Sequence, residues 1–222
     1  MRPWTETVPK PLLVVGEKPF LQHQIELLVG HEITDVVLLV AYLGEQIEAF
    51  FGDGEKFGCR ISYSYEPSPM GTGGALKNAE SVLAEEFLVV NGDTYLDLPY
   101  TEFAQEFAGG KAAALIAAYQ PDATKGILPA DKVSCNLAID GDGKVLVYRK
   151  KQPEGLRYVD AGVLGLRKST LSAMPGGKKF SLEEDIFPEL IAAGQMRAWI
   201  TKEPFYDMGS PEGMKALVEK LS

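Results

Sequence analysis

Short apolar segments alternate with amphipathic ones through the first 120 residues, and this alternation most restricts the fold of the chain. The pattern predicts strands at residues 35–41, 60–65, 86–90 and 112–119. The segments between and before them predict helices at residues 20–28, 44–51, 73–83 and 100–107. Helical crossovers join parallel strands, so the pattern predicts an α/β fold with a doubly wound sheet.

Strands predominate in the second half. Residues 133–139 and 144–148 flank Asp140-Gly141-Asp142-Gly143, a sequence typical of a hairpin turn, and residues 158–166 predict a further strand. A helix at 182–193, a strand at 197–201 and a closing helix at 211–221 follow. The 222 residues contain no linker-like tract, so we expect one domain, with a small β-rich extension packed on its first half.

The composition excludes several classes of function. The net charge of −9 argues against a general binder of nucleic acid or of a membrane surface, since both need clustered lysine and arginine. No apolar run reaches the about 18 residues of a membrane span, and no signal peptide is evident. Two cysteines form neither a disulfide framework nor a metal cluster, which favours a reduced, cytoplasmic setting. The chain has only two histidines, which argues against a histidine-based catalytic mechanism.

An acid follows one of the buried strands. Residues 87–90 are fully apolar and lead into Asn91-Gly92-Asp93. Ligands of open α/β sheets bind beyond the carboxyl ends of the strands, which places Asp93 where it can hold a cation or a substrate. The alternative is an ordinary turn, because all three residues favour turns.

Two more segments could bind a phosphate or another anion, and each of them also has a purely structural interpretation. Lys10 stands between Pro9 and Pro11, which stiffen the backbone and can aim the lysine at a phosphate; a solvated surface lysine is the alternative. Residues 66–75 (EPSPMGTGGA) join a strand to a helix, and their glycines can let an anion approach the backbone at the helix N-terminus. A flexible connection is the alternative.

A second acid, Asp207, precedes the last helix. It can stabilise that helix through its dipole, or it can lie at the same sheet edge as Asp93. Mg²⁺ prefers one or two carboxylates together with phosphate oxygens and water. We therefore expect Asp93 and Asp207 to share one Mg²⁺ ion.

In order and spacing, seven segments resemble the sugar-phosphate nucleotidylyltransferase family. They are residues 9–13 (PKPLL), 18–21 (KPFL), 71–75 (GTGGA), 91–94 (NGDT), 160–163 (DAGV), 180–183 (FSLE) and 207–210 (DMGS). The most similar subgroup is the heptose-1-phosphate and mannose-1-phosphate guanylyltransferase-like set. Family members condense a nucleoside triphosphate with a sugar 1-phosphate on a Rossmann-like mixed sheet, releasing pyrophosphate.

The resemblance implies roles for single residues. Lys10 and Asp93 would be catalytic, with Lys10 at the triphosphate and Asp93 and Asp207 on Mg²⁺. Glu66, Gly71 and Thr72 would bind the nucleotide, within a nucleotide-binding half at 1–125. The sugar-binding half at 126–222 would place Lys150, Asp160, Gly162 and Glu183 around the sugar phosphate. The family often has Glu-Lys where this chain has Arg149-Lys150-Lys151, and Lys150 keeps the usual distance from the preceding strand.

The chain also departs from the family at its start. Members normally open with an apolar strand and a glycine-rich phosphate loop, and here Met1 stands after both. The strand lies in mid-sheet, and unpaired buried backbone groups cost about 1–3 kcal/mol each. One explanation, which we favour and which the resemblance implies, is that the natural protein begins about 15–20 residues upstream. The other is that another segment or chain fills the gap. An unpaired edge is also compatible with a homo-oligomer.

The sequence leaves alternatives for the base, for the sugar and for the activity. Guanine presents two adjacent donors that a carboxylate can accept, so Glu66 favours GTP. The sugar can be a heptose, mannose or a related hexose. The same fold could instead serve a non-catalytic nucleotide-sugar sensor or regulatory subunit, or, as a more distant alternative, a nucleotide-sugar-dependent glycosyltransferase.

Overall fold

The computed structural model describes residues 7–121, 134–149, 155–172, 174 and 176–221. Its strands are Val14–Val15 (β1), Lys18–Pro19 (β2), Asp35–Val40 (β3), Arg60–Tyr65 (β4), Glu86–Val90 (β5), Thr94–Leu96 (β6), Ala114–Tyr119 (β7), Leu137–Ile139 (β8), Val145–Tyr148 (β9), Val159–Arg167 (β10), Met196–Thr201 (β11) and Phe205–Asp207 (β12). Its α-helices are Phe20–Gly30 (α1), Gly44–Phe51 (α2), Gly71–Asn78 (α3), Tyr100–Gly109 (α4), Ser169–Ser172 (α5), Phe187–Ala192 (α6) and Pro211–Leu221 (α7).

The central sheet is mixed, in the order β11-β7-β10-β5. Strand β10 runs antiparallel to both of its neighbours, whereas β11 runs parallel to β7. All six residues of β7 are buried, because helices cover both faces of the sheet. One face packs Ile116, Leu164 and Phe187, and the other packs Leu115, Phe103 and Phe107. The predicted α/β fold with a mixed sheet is confirmed.

Two predicted helices differ from those observed. The helix predicted at 73–83 begins earlier, at Gly71, and ends at Asn78 before a separate 3₁₀ turn at Glu80–Val82. The helix predicted at 182–193 is a π-helical turn at Leu182–Ile186 followed by α6. Pro188 lies at the start of α6 and has no N–H to donate, so a continuous α-helical ladder cannot pass through it.

Strands β3 and β4 form a separate parallel pair. Within the described residues, β3 pairs only with β4, and β5 pairs only with β10. A cleft of about 1040 Å³ lies between β3 and β5 and reaches the carboxyl ends of both strands. No helix among the described residues has the length and apolar character to cross a membrane.

Candidate functional site

Asp93 lies in a turn that the rest of the fold holds firmly. The turn leaves β5 at Asn91, whose N–H donates to the Gly162 carbonyl at 2.9 Å. The Gln24 side chain, on α1, donates to the carbonyls of Asn91 at 2.9 Å and Thr94 at 2.7 Å. Gln24 is buried, and the sequence analysis missed it; a glutamine on the apolar face of a helix was the available signal.

Lys10 and Asp93 form an ion pair with 2.7 Å between the lysine Nζ and a carboxylate oxygen. Lys10 begins the 3₁₀ turn Lys10–Leu12, and Pro9 before it has an extended backbone. Half of the Asp93 side chain is exposed, so the pair contributes at most about 1 kcal/mol to stability. Its significance is positional, since two candidate residues 83 positions apart meet at one point.

Asp207 reaches the same place through a short antiparallel ladder. Strand β12 pairs with β6 so that Asp207 lies opposite Thr94, and the Met208 N–H donates to the Asp93 carbonyl at 2.9 Å. One carboxylate oxygen of Asp207 also accepts from the N–H groups of Gly209 and Ser210, at 2.6 and 3.1 Å. Asp207 therefore neighbours Asp93 and also stabilises the start of α7. Both interpretations of its sequence position, an acid at the same sheet edge as Asp93 and an acid that stabilises the last helix, apply to it.

The chemistry of this acid pair fits a magnesium ion. Carboxylate oxygens are ligands that Mg²⁺ prefers, and it commonly takes only one or two from the protein. The described residues contain no group of three or more candidate metal ligands. Asp93 and Asp207 would thus supply the protein ligands, and phosphate oxygens and water would complete the shell.

The glycine-rich segment has a packing role that the sequence analysis did not predict. Gly71 has a φ of +72°, and a Cβ on it would lie 2.5 Å from the Phe180 carbonyl oxygen. A Cβ on Gly73 would lie 2.3 Å from the Phe180 ring, and one on Gly74 2.7 Å from the Lys178 carbonyl oxygen. The glycines let the segment around Phe180 dock against the start of α3, which is a structural reason for them.

Polar side chains continue this contact. The Thr72 hydroxyl donates to the Glu183 carboxylate and accepts from the Leu182 N–H, both at 2.9 Å. A carboxylate oxygen of Glu66 accepts from the Met70 N–H at 2.8 Å and so steadies the same loop from its other end. Thr72 and Glu183, which the resemblance assigned to different substrates, are thus direct partners.

Asp160, which also lines the cleft, is held by hydrogen bonds with several described residues. Its carboxylate accepts from the Gly162 N–H at 2.9 Å and from the Tyr148 hydroxyl at 3.0 Å, and its own N–H donates to the Asn136 side chain at 2.8 Å. Gly162 has a φ of +79° and fits closely against Asn91 and Thr94. The resemblance had named Asp160 and Gly162, but not Tyr148 or Asn136.

Tyr148 stays protonated in this position. Burial raises the pKa of its hydroxyl above the ordinary value, and the carboxylates of Asp160 and Glu183 raise it further. The ring packs edge-on against Phe187, with 5.1 Å between centroids. Tyr148 is therefore a fixed donor that orients the Asp160 carboxylate.

One cleft collects most of the candidate residues. Its lining includes Glu66, Gly71, Thr72, Asp160, Gly162 and Glu183. Asn91 and Gly92 also line it, so the Lys10–Asp93 pair and Asp207 adjoin the cleft although they are not among its lining residues. Lys150, the expected sugar-phosphate lysine, lies outside the described residues. His23 is buried, and its ring nitrogen lies 2.8 Å from the Val15 carbonyl oxygen.

Several curated proteins resemble this chain in sequence. Mannose-1-phosphate guanyltransferase of Yarrowia lipolytica is 33% identical over 217 residues, covering 96% of this chain and 58% of the relative. UTP–glucose-1-phosphate uridylyltransferase of Synechocystis is 29% identical over 211 residues, covering 87% of this chain and 53% of the relative. The chain thus spans just over half the length of these curated relatives.

Solved structures of two proteins superpose on most of this chain. HddC from Yersinia pseudotuberculosis superposes with a TM-score of 0.81 at 29% identity, covering 97% of this chain and 91% of HddC, and it has also been solved with GMP-PN. A putative glucose-1-phosphate thymidylyltransferase from Bacillus anthracis has a TM-score of 0.82 at 20% identity and covers 99% of this chain and 89% of its own, which supports the fold. The nucleotidyl transferase family model matches residues 1–221, and this chain therefore belongs to the nucleotidyl transferase family.

Proposed function

We propose that this chain is a sugar-1-phosphate nucleotidylyltransferase that uses GTP and Mg²⁺. The observation that carries the proposal is that Lys10, Asp93 and Asp207 meet beside a cleft lined by Glu66, Thr72, Asp160 and Glu183. Cationic and metal-ligating groups lie at one end, where phosphates would bind. Hydroxyl and carboxylate groups lie along the walls, where a base and a sugar would bind.

The reaction needs positioning and charge neutralisation more than proton transfer. A phosphate oxygen of the sugar 1-phosphate attacks the α-phosphorus of the triphosphate, a new P–O bond forms, and the bond to the β-phosphate breaks to release pyrophosphate. The attacking oxygen is already anionic at neutral pH, so no general base is required. Lys10 would screen the repulsion between the two anions, and bound Mg²⁺ would supply further neutralisation of phosphate charge.

The two halves of the chain would divide the substrates between them. We assign the nucleotide to residues 1–125, with Glu66, Gly71 and Thr72, and the sugar phosphate to residues 126–222, with Lys150, Asp160, Gly162 and Glu183. A mannose or heptose 1-phosphate suits the relatives named above. The nucleotide sugar would then serve as a cytoplasmic precursor of glycans or cell-surface polysaccharide.

The direct test is pyrophosphate release in the presence of Mg²⁺. Each common nucleoside triphosphate is combined with glucose, mannose and heptose 1-phosphates, and EDTA provides the metal-free control. We expect release with GTP and one of these sugar phosphates, and none with EDTA. Binding of a nucleotide sugar without any turnover would instead identify a sensor or regulatory subunit.

Glu66→Gln should weaken the preference for GTP. A glutamine oxygen can still accept from the Met70 N–H, so the loop should persist, but the neutral amide accepts less strongly from the N1–H and amino group of guanine. We expect the ratio of kcat/KM for GTP to that for UTP to fall by about tenfold. Glu45→Gln, on α2, is the control, and an unchanged ratio in Glu66→Gln would remove Glu66 from base recognition.

Tyr148→Phe should raise the KM for the sugar phosphate while leaving the KM for the nucleotide unchanged. The substitution removes the hydroxyl that fixes the Asp160 carboxylate, and hydrogen bonds to charged groups contribute about 1.5–3 kcal/mol. We expect a rise of about tenfold. Tyr158→Phe is the matched control. Equal increases in both KM values would indicate a general structural effect instead.

A further inference from the structure

Gln24 is a polar residue on the apolar face of α1. Leu21 and Leu28 lie one helical turn before and after it on that face, and Ile25 is adjacent to it. These four residues line the cleft, yet Gln24 itself is only 5% exposed. Burial of a side-chain amide is unfavourable unless its polar atoms form hydrogen bonds, so the partners of Gln24 indicate its role.

The partners of Gln24 are the first and the last residue of one turn. In this turn, residues 91–94, the Thr94 N–H donates to the Asn91 carbonyl at 3.2 Å. The amide nitrogen of Gln24 donates to the carbonyl oxygens of the same two residues, at 2.9 Å for Asn91 and 2.7 Å for Thr94. An amide nitrogen carries two hydrogens, so one side chain can hold both ends of the turn. Asp93 lies between them.

The other contacts of Asp93 are nearer to solvent. Its carboxylate pairs with Lys10, but half of the Asp93 side chain is exposed, and water competes for an ion pair of this kind. The hydrogen bond from Gln24 to Thr94 is buried, and a buried hydrogen bond is electrostatically stronger than an exposed one. The contact from α1 is therefore the one that fixes the turn most firmly against the rest of the fold.

The same helix also holds the segment that carries Lys10. The Phe20 N–H, at the start of α1, donates to the Leu13 carbonyl at 2.9 Å. The ring nitrogen of His23 lies 2.8 Å from the Val15 carbonyl oxygen. The Leu13 N–H donates in turn to the Lys10 carbonyl at 3.1 Å. Helix α1 is thus in contact with both chain segments whose charged side chains form the ion pair of the candidate site.

We propose that Gln24 is a positioning residue for the candidate metal site, where its amide holds the turn so that the Asp93 carboxylate stays beside Asp207. This inference rests on the proposed function, because it concerns the Mg²⁺ that the function requires. Side chains that hold a metal ligand in place change metal affinity or activity by about 10–100-fold when they are removed. Glutamine suits this position, since glutamate of the same length has no N–H to donate and asparagine is one carbon shorter.

Binding of Mn²⁺ to Gln24→Met tests the proposal without catalysis. Methionine has a similar length and no donor, so the turn loses both hydrogen bonds from α1. Gln22→Met is the matched control, because Gln22 lies on the same helix and donates to Glu26 of that helix rather than to the turn. Free Mn²⁺ is measured by electron paramagnetic resonance, and thermal melting confirms that each variant is folded. We expect the Kd for Mn²⁺ to rise about tenfold or more in Gln24→Met and to stay unchanged in Gln22→Met.

The Mg²⁺ dependence of pyrophosphate release separates positioning from a general structural effect. In Gln24→Met, the Mg²⁺ concentration that gives half of the maximal rate should rise by about tenfold, and excess Mg²⁺ should restore much of kcat. The KM for GTP, measured at saturating Mg²⁺, should stay unchanged. A loss of folded protein would instead lower the rate by the same factor at every Mg²⁺ concentration.

Equal affinities for Mn²⁺ in Gln24→Met and the unsubstituted chain would overturn the proposal, as would a lack of Mn²⁺ binding by the unsubstituted chain. If Gln24→Met does not fold, Gln24→Asn takes its place, and the same comparison decides. Weaker Mn²⁺ binding in the variant, with no pyrophosphate release by the unsubstituted chain from any substrate pair, would support the role of Gln24 and contradict the proposed function. Pyrophosphate release with the same Mg²⁺ dependence in the variant and the unsubstituted chain would contradict the role of Gln24 alone.

Discussion

Asp207→Asn is expected to remove most Mg²⁺-dependent pyrophosphate release while leaving the fold intact. Asparagine keeps an oxygen that can accept from the Gly209 and Ser210 N–H groups, so the start of α7 should be preserved. What is lost is the negative charge opposite Thr94, beside Asp93. We expect kcat/KM to fall by about 100-fold or more, the scale on which electrostatic groups in active sites act.

Asp93→Asn should have an effect of the same size. It also breaks the ion pair with Lys10, but that pair is half exposed and contributes at most about 1 kcal/mol to stability. Thermal melting measured beside the kinetics separates the two effects. Asp97→Asn is the matched control, since Asp97 also forms an ion pair with a lysine, in its case Lys220 of α7. Full activity in the Asp93→Asn/Asp207→Asn double variant would contradict a shared metal site.

Gly71→Ala is expected to be among the most destabilising single substitutions in the chain. Gly71 has a φ of +72°, and the added Cβ would lie 2.5 Å from the Phe180 carbonyl oxygen, a backbone atom that cannot simply rotate away. Backbone strain of this kind costs about 1–3 kcal/mol, and separation of the docked segment adds to it. A total loss of about 3 kcal/mol in the free energy of unfolding, at about 2–4 °C per kcal/mol for a protein of this size, corresponds to a fall in Tm of about 6–12 °C.

Gly30→Ala is the control for this substitution. Gly30 ends α1, has no positive φ, and has nothing within 4 Å of an added Cβ. Its Tm should change little or rise, since alanine favours helix more than glycine does. Equal Tm values for Gly30→Ala and Gly71→Ala would show that the contact with Phe180 does not hold the start of α3 in place.

Sequence reasoning predicted the positions of those candidate-site residues that follow regular strands. Asp93 follows an apolar strand, and the rule that ligands bind at carboxyl ends was enough to single it out. Its proximity to Asp207 depends on β6 and β12, each of three residues, which are too short to show a period. The insertion of β10 between β5 and β7 is likewise a long-range pairing that no local pattern contains.

The side chains that support the candidate site could not be predicted from the sequence, for a related reason. Gln24 acts on Asn91 and Thr94, about 70 positions away, and Tyr148 acts on Asp160 from the neighbouring hairpin. A side-chain hydrogen bond leaves no periodic trace in sequence. Glycines are similarly ambiguous, because a residue without a Cβ suits the approach of a ligand and the approach of Phe180 equally well.

The docking of Phe180 against the start of α3 has a mechanical consequence. Because Thr72 bridges to Glu183 and to the Leu182 backbone, the wall assigned to the base and the wall assigned to the sugar are clamped together at that point. The two walls cannot move apart at that point while these hydrogen bonds hold. A displacement of one wall is therefore transmitted directly to the other through these hydrogen bonds.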